Sequence, residues 1–257
     1  MTMDASAPTL RILPGQWRPQ FPFEQVAWIS SPWPPADYLW LDFPEAVFID
    51  GTLTYLGHIS EKFPSAYTDL PKVPWHALDD GIAFERLLPN GLHFAGQLTR
   101  ASDHAVAMAF TFTNKGDTTL RNIALQTCAY VRPIRELADY THENIFVHTA
   151  DGWTKLNHAL EHPREDGTVR LGWRDGPKAA DWPLIVCLAA GGGRGAAMTW
   201  FDHTLSLIGN PDHPCFHADP FVNDLAPGES DSLRGVLLFF EGDLADLDYT
   251  RDVVPYA

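Results

Sequence analysis

Four side chains able to bind a metal or transfer a proton stand at alternate positions in one short segment: His213, Cys215, His217 and Asp219. An extended backbone sends alternate side chains to the same face, so the four groups are expected to converge. Imidazole and carboxylate groups are common ligands of divalent metals and common proton carriers. We predict a metal site formed by His213, His217 and Asp219, and omit Cys215 because a thiolate would favour structural zinc. The alternative is that these groups pack and hydrogen-bond in a structured turn.

Two prolines, Pro214 and Pro220, interrupt the same segment. Proline has no backbone N–H to donate to a neighbouring strand, which argues against a central strand. The sequence therefore predicts a rigid extended loop or the edge of a sheet.

Residues 122–132 alternate between an apolar face and a face of hydrogen-bonding groups. The second face carries Asn122, Gln126, Cys128, Tyr130 and Arg132, and such a face suits the lining of a cleft. An arginine next to a tyrosine stabilises the phenolate, which makes the tyrosine a usable base. We predict Tyr130 and Arg132 as catalytic residues, with Gln126 and Asn122 binding substrate. The alternative is an ordinary solvated face.

Further candidates stand near the ends of predicted strands. His58 follows a predicted hairpin, where strand ends meet a cleft, and we expect it in the pocket of His217 as a second catalytic group. Trp75 and His76 lie in a proline-rich stretch and are candidates for substrate binding. Packing or a surface position is the alternative for each of them.

The rest of the chain reads as strands joined by tight turns. Asp50-Gly51 and Pro89-Asn90-Gly91 are hairpin turns between apolar runs. Short helices are expected only at 133–140 and 243–249. The pattern predicts an all-β protein, a single large antiparallel β-sandwich over residues 46–257. Residues 1–45, rich in Pro and Trp, are expected to form an N-terminal arm packed on that domain.

Composition excludes several classes of partner and cofactor. The 257 residues include 18 basic and 33 acidic side chains, a net charge of −15, which disfavours nucleic acid and anionic membranes. Three dispersed cysteines suggest reduced thiols. The glycines at 191–195 lack the features of a nucleotide-binding loop, so no nucleotide cofactor is expected. No signal peptide or membrane span is visible, which favours a cytoplasmic location. The oligomeric state stays open.

Two segments resemble the galactose mutarotase-like enzymes. Residues 105–131 are similar to their central motif, an alternating strand, a Gly-Asp turn and a strand leading to the active-site face. Residues 225–242 are similar to their last strand, entered through a Pro-Gly-Glu turn. The resemblance implies a β-supersandwich and activity on sugars as an epimerase, a lyase or an accessory domain. Where aldose epimerases carry a His-x-Tyr-Phe signature, this chain has Gln126–Tyr130, without a histidine.

The leading functional hypothesis is a carbohydrate-active lyase. It would remove a proton next to a carbonyl of a uronic or keto sugar, with Arg132 or a divalent metal stabilising the enolate. The alternatives are a sugar epimerase with two acid–base groups, and a non-catalytic module that uses its tryptophans to bind a small sugar or an oligosaccharide. A purely structural domain is a further possibility.

Overall fold

A computed structural model describes residues 10–21, 23–57, 60, 62–141, 143–159, 169–172, 180–210 and 213–257. Within these residues the chain forms two large antiparallel sheets and a few short helical turns. The predicted all-β antiparallel sandwich is confirmed. No helix in this described part combines the length and the apolar character that crossing a bilayer requires.

The first sheet has eight strands in the order β1-β2-β3-β9-β16-β15-β12, with β4 paired to β3. Their bounds are β1 Ile12–Gly15, β2 Val26–Ser30, β3 Tyr38–Ile49, β4 Thr52–Tyr55, β9 Ile123–Tyr130, β12 Val169–Gly172, β15 Thr204–Gly209 and β16 Cys215–Val222.

The second sheet has nine strands in the order β11-β10-β13-β14-β17-β8-β7-β6-β5. Their bounds are β5 His76–Leu78, β6 Gly81–Leu87, β7 Leu92–Arg100, β8 Ala105–Asn114, β10 Ile145–Thr149, β11 Gly152–Lys155, β13 Ile185–Leu188, β14 Arg194–Thr199 and β17 Ser230–Glu241.

Aromatic side chains from both sheets fill the space between them. Phe43 of β3 stacks on Phe110 of β8 with ring centroids 4.2 Å apart, and the Trp200 ring lies 5.3 Å from Phe110. All three are fully buried. Stacked aromatic pairs add to the large apolar area that they bury, so they hold the two sheets in register.

Three sequence predictions need correction. The boundary at residue 45 falls inside β3, because residues before it already form β1, β2 and the first half of β3. The segment with Pro214 and Pro220 is not an edge or loop: it forms β16, a central strand between β9 and β15. A register shift between Thr204 and Ser206 accommodates Pro220. Residues 133–140 form turns, and the helical turn near 243 covers only Leu244–Asp246.

A bulge in β3 shapes the outer face of the first sheet, the face turned away from the second sheet. The pairing of β3 with β9 shifts between Asp42 and Ala46, around Pro44, whose missing N–H such an irregularity tolerates. Asp42 lies opposite Cys128 at the start of this bulge. The irregularity therefore places two acidic residues, Asp42 and Glu45, close together in a central strand.

We expect Gly235→Ala to destabilise the protein by about 1 to 3 kcal/mol, the usual cost of overpacking. A methyl group there would lie 2.5 Å from the Thr199 carbonyl oxygen and 2.9 Å from the Trp200 ring, so β14 and β17 would have to separate. Gly191→Ala is the matched control, because nothing lies within 4 Å of its added carbon. Urea unfolding measures both, and equal stability of the two variants would contradict this prediction.

Candidate active site

The outer face of the first sheet carries a compact group of titratable side chains. Cys215, His217 and Asp219 alternate along β16, and His217 pairs across the sheet with Cys128 of β9. His217 and Asp219 are 5% and 3% exposed. The alternation predicted from the sequence therefore brings three of its four groups onto one buried patch.

His217 lies between two carboxylates and a thiol. Its Nδ1 is 3.5 Å from Asp219 Oδ1 and 3.9 Å from Glu45 Oε2, and its Nε2 is 3.6 Å from Cys215 Sγ. Burial by itself would lower the pKa of His217, but contacts with Cys128 and Asp219 outweigh it and place the pKa well above the usual 6.5. The neighbouring carboxylates therefore favour the protonated imidazole, which can donate a proton.

Asp219 is fixed by hydrogen bonds that reach into the core. The backbone N–H of Thr127 donates to Oδ1 at 3.1 Å, and the Ser206 hydroxyl donates to Oδ2 at 3.3 Å. Trp200 in turn donates its Nε1–H to the Thr127 hydroxyl at 3.1 Å. Because both oxygens are occupied, the carboxylate cannot rotate freely and presents one oxygen to His217.

Glu45 and Asp42 bring the carboxylates of β3 to the same patch. Burial raises the pKa of Glu45 to about 7 from an ordinary 4.5, with His217 opposing the shift and Asp42 adding to it. Burial also raises the pKa of Asp42, although Arg18 opposes this. A carboxyl group with a pKa near 7 exchanges its proton readily at neutral pH.

Trp17 and Arg18, which precede β2, cover this patch on the outer face of the first sheet. Arg18 lies 3.3 Å from Asp42 Oδ1 and donates to the Gly57 carbonyl at 2.8 Å. Glu24 accepts hydrogen bonds from the backbone N–H groups of Trp17 and Arg18, which fixes the turn. The two residues therefore supply a compensating positive charge and exclude water from the acidic groups.

In the described part of the chain, one group of side chains is close enough together to hold a metal ion. The ligand atoms of Cys128, Cys215 and His217 lie within 4.8 Å of one another. Those of the predicted set His213, His217 and Asp219 do not converge in this way. A hydrogen bond with Cys215 and burial raise the pKa of the Cys128 thiol, and metal binding needs deprotonated thiols and neutral imidazole. The metal site stays a prediction.

The structure brings some predicted residues together. Tyr130 pairs with Cys215, two residues along β9 from the His217–Cys128 pair and on the same face, and a hydrogen bond links it to Arg132. Gln126 is half-buried on β9, two residues before Cys128 on the same face. Tyr130, Arg132 and Gln126 therefore border the patch.

Other predicted residues lie elsewhere. Asn122 is an exposed turn residue held by Asp224 and Asp50, and Trp75 packs on Phe84 of the second sheet with His76 at the start of its edge strand β5. His213 is exposed, with its ring 6.3 Å from that of Tyr130. His58 lies outside the described residues.

Sequence reasoning missed Arg18, Asp42 and Glu45. The prolines and tryptophans of residues 1–45 predict a peripheral arm, which places these three residues away from any site. A signal was nevertheless present: Asp42 and Glu45 interrupt an otherwise apolar run, 39–47, and acidic residues in such a run are rarely buried without a partner.

No protein-family model and no curated protein matches the chain. Solved structures do resemble it. A GalM/aldose epimerase homologue from C. elegans is 10% identical, covering 91% of this chain and 99% of its own, with a TM-score of 0.52. A putative aldose 1-epimerase from Escherichia coli K12 has 11% identity, the same coverage and a TM-score of 0.49. Galactose 1-epimerase from Lactobacillus acidophilus has 7% identity, again 91% and 99% coverage, and a TM-score of 0.44. The likeness to the C. elegans protein confirms a galactose mutarotase-like fold, as the resemblance of residues 105–131 and 225–242 implied.

We expect Glu45→Gln to flatten the dependence of stability on pH. In the folded protein the raised pKa of Glu45 makes the native state hold more protons than the unfolded state between pH 4.5 and about 7. The free energy of unfolding therefore falls as pH rises through this window, by up to about 3 kcal/mol from this group. Urea unfolding at both ends of the window, on wild type and variant, measures the difference. Parallel pH profiles would show that Glu45 titrates normally.

Proposed function

We propose that the protein is a sugar-active enzyme of the epimerase type, which interconverts the anomers of a cyclic sugar by acid–base catalysis. The observation that carries this proposal is the buried group in which the His217 imidazolium faces the carboxyl of Glu45, whose pKa is about 7. Such a pair offers a proton acceptor and a proton donor within a few ångströms of each other. The galactose mutarotase-like fold is consistent with it.

The reaction needs only proton transfers. Glu45, as carboxylate, would take the proton from the anomeric hydroxyl, while His217 gives a proton to the ring oxygen as the bond from the anomeric carbon to that oxygen breaks. Rotation about the next carbon–carbon bond and ring closure with the roles reversed yield the other anomer. Protons and electrons balance over the cycle, and a positioned acid–base pair contributes about 10²- to 10⁴-fold in rate.

The surrounding groups support these roles. Asp219, held by Thr127 and Ser206, orients His217 and stabilises its cationic form. Arg18 neutralises Asp42, which keeps a second negative charge from holding the proton on Glu45. Because Asp42 and His217 are almost fully buried, we infer that a sugar hydroxyl replaces the contact between Arg18 and Asp42 when substrate enters.

A lyase is the second candidate, and one contact favours it. Tyr130 is hydrogen-bonded to Arg132, the arrangement expected of a base with a neighbouring cation. In this reaction a uronate would yield an unsaturated product. The proton NMR spectrum of an incubation with oligouronate distinguishes the two, because only the lyase creates a vinyl proton.

We expect His217→Asn and Glu45→Gln each to lower kcat/KM for anomer exchange by at least about 100-fold, the lower end of what a positioned acid or base supplies. Freshly dissolved α-anomers of glucose, galactose, glucuronate and galacturonate serve as probes, with exchange followed by polarimetry or NMR. Chelator treatment is expected to leave activity unchanged.

The matched control is a second histidine–glutamate contact, on the other sheet. His93 lies 3.5 Å from Glu85, whose side chain is 72% exposed, and His93→Asn and Glu85→Gln should retain activity. If the wild-type protein accelerates exchange in none of the probes, the proposal fails. Loss of activity on chelation, restored by zinc, would assign His217 to a metal instead.

We expect a bell-shaped dependence of kcat/KM on pH. Activity should rise as Glu45 loses its proton through pH about 7, and fall at higher pH as His217, with its raised pKa, loses its own. Initial rates across a buffer series measure both limbs. An acidic limb near the ordinary glutamate value of 4.5 would contradict the role given to Glu45.

A further inference from the structure

A pocket of about 670 Å³ opens beside the buried patch. Its walls include three aromatic residues and two cationic ones, together with one acid: Trp17, Trp40, Tyr130, Arg132, Arg135 and Asp37. This volume falls within the range of about 300 to 1,000 Å³ that is typical of small-molecule sites, and it would admit a ligand of one or two sugar rings.

The aromatic side chains form a continuous apolar wall. The Trp17 ring stacks on Tyr130 at 4.4 Å, and Trp40 lies 5.7 Å from Tyr130 and 5.6 Å from Trp17. Trp17 and Trp40 remain partly exposed, so both border the pocket, with the Arg18 guanidinium over the Trp17 ring at 3.7 Å. Flat apolar surfaces of this kind, with a few polar groups at the rim, are typical of small-molecule sites.

Two arginines line this pocket together. Arg132 is exposed and hydrogen-bonded to Tyr130, and Arg135 is exposed beside it. Neither guanidinium forms an ion pair with a carboxylate of the described residues, in a protein of net charge −15. Among the described residues, five other arginines have acidic partners (Arg18, Arg100, Arg121, Arg194 and Arg251), and three more have none (Arg11, Arg86 and Arg234). Arg132 and Arg135 differ from those three because both face the same pocket. Two guanidinium groups without such partners favour an anionic ligand.

The pocket is close enough to the acid–base pair for one sugar to reach both. Tyr130 and Cys128 are two residues apart on β9, about 7 Å along the strand, and Cys128 pairs with His217. A pyranose ring with its exocyclic group has a comparable span. An anomeric carbon at Glu45 and His217 would therefore leave the far end of the ring at Tyr130, to which Arg132 is hydrogen-bonded.

We propose that Arg132 and Arg135 bind the carboxylate of a sugar acid whose ring lies against Trp17 and Trp40. This assignment rests on the proposed function and narrows its substrate class to uronates. The monoanionic carboxylate is preferred over a dianionic phosphate, because the net charge of −15 and Asp37 in the same pocket repel the higher charge more strongly. A planar carboxylate also accepts two parallel hydrogen bonds from one guanidinium.

Calorimetric titration tests the assignment by measuring the dissociation constant of each sugar. One series compares glucuronate with glucose and glucose 6-phosphate, and the other compares galacturonate with galactose. We expect one uronate to bind wild type at least about tenfold more tightly than its neutral parent, a difference of about 1.4 kcal/mol. The double variant Arg132→Gln/Arg135→Gln should bring this ratio to within about twofold while binding of the neutral sugar stays unchanged. Arg121→Gln, an exposed arginine beyond the other end of β9, is the matched control and should keep the preference.

Binding and turnover separate this assignment from the proposed function. His217→Asn should keep the preference for the uronate and lose anomer exchange. The double variant Arg132→Gln/Arg135→Gln should lose the preference. Failure of the carboxylate assignment and failure of the proposed catalysis therefore appear in different measurements. No preference for either uronate, or a preference that survives in the double variant, would overturn the assignment. Binding of glucose 6-phosphate as tight as that of glucuronate would overturn the choice of a carboxylate.

Discussion

The burial of four titratable side chains on one face of a sheet is the constraint on which the site depends. Asp42, Glu45, His217 and Asp219 are withdrawn from water, and isolated charges in such a place are costly unless they are paired or neutralised. The chain meets this cost in two ways. His217 carries a positive charge between carboxylates, and Arg18 adds a second one above Asp42. The same desolvation raises the pKa of Glu45 to about 7, so the burial that is costly for folding also gives Glu45 the pKa that the proposed proton transfer needs.

The acid–base group stands on strands rather than on loops. Asp219 accepts from Thr127, and Thr127 accepts from Trp200, which packs against Phe110 and lies 6.0 Å from Phe43 between the sheets. A rotation of Asp219 would have to break bonds that end in the densely packed core. Such support holds a catalytic geometry more tightly than a surface loop does, because the side chains beneath it have no alternative packing.

The alternation of side chains between the two faces of a single strand could be predicted from the sequence. Which strands pair with each other in the sheet could not. The faces of residues 122–132 and the convergence of Cys215, His217 and Asp219 follow from the two-residue period of an extended chain. Glu45 and Arg18 reach His217 only because β3, β9 and β16 pair across long stretches of chain, and nothing local specifies that pairing. Prolines misled in two places, at Pro44 and Pro220, because register irregularities admit them into central strands.

The cluster of Trp17, Trp40 and Tyr130 should give the protein a characteristic near-ultraviolet circular dichroism spectrum. Aromatic rings this close interact through their ultraviolet transitions, and such coupling produces near-ultraviolet circular dichroism that depends steeply on ring separation and angle. Trp17 adjoins Arg18, whose guanidinium lies 3.7 Å from the Trp17 ring, so a movement of Arg18 away from Asp42 changes the surroundings of a chromophore. The ligand entry that we propose, with Arg18 displaced from Asp42, would therefore change a spectroscopic signal that needs no added label.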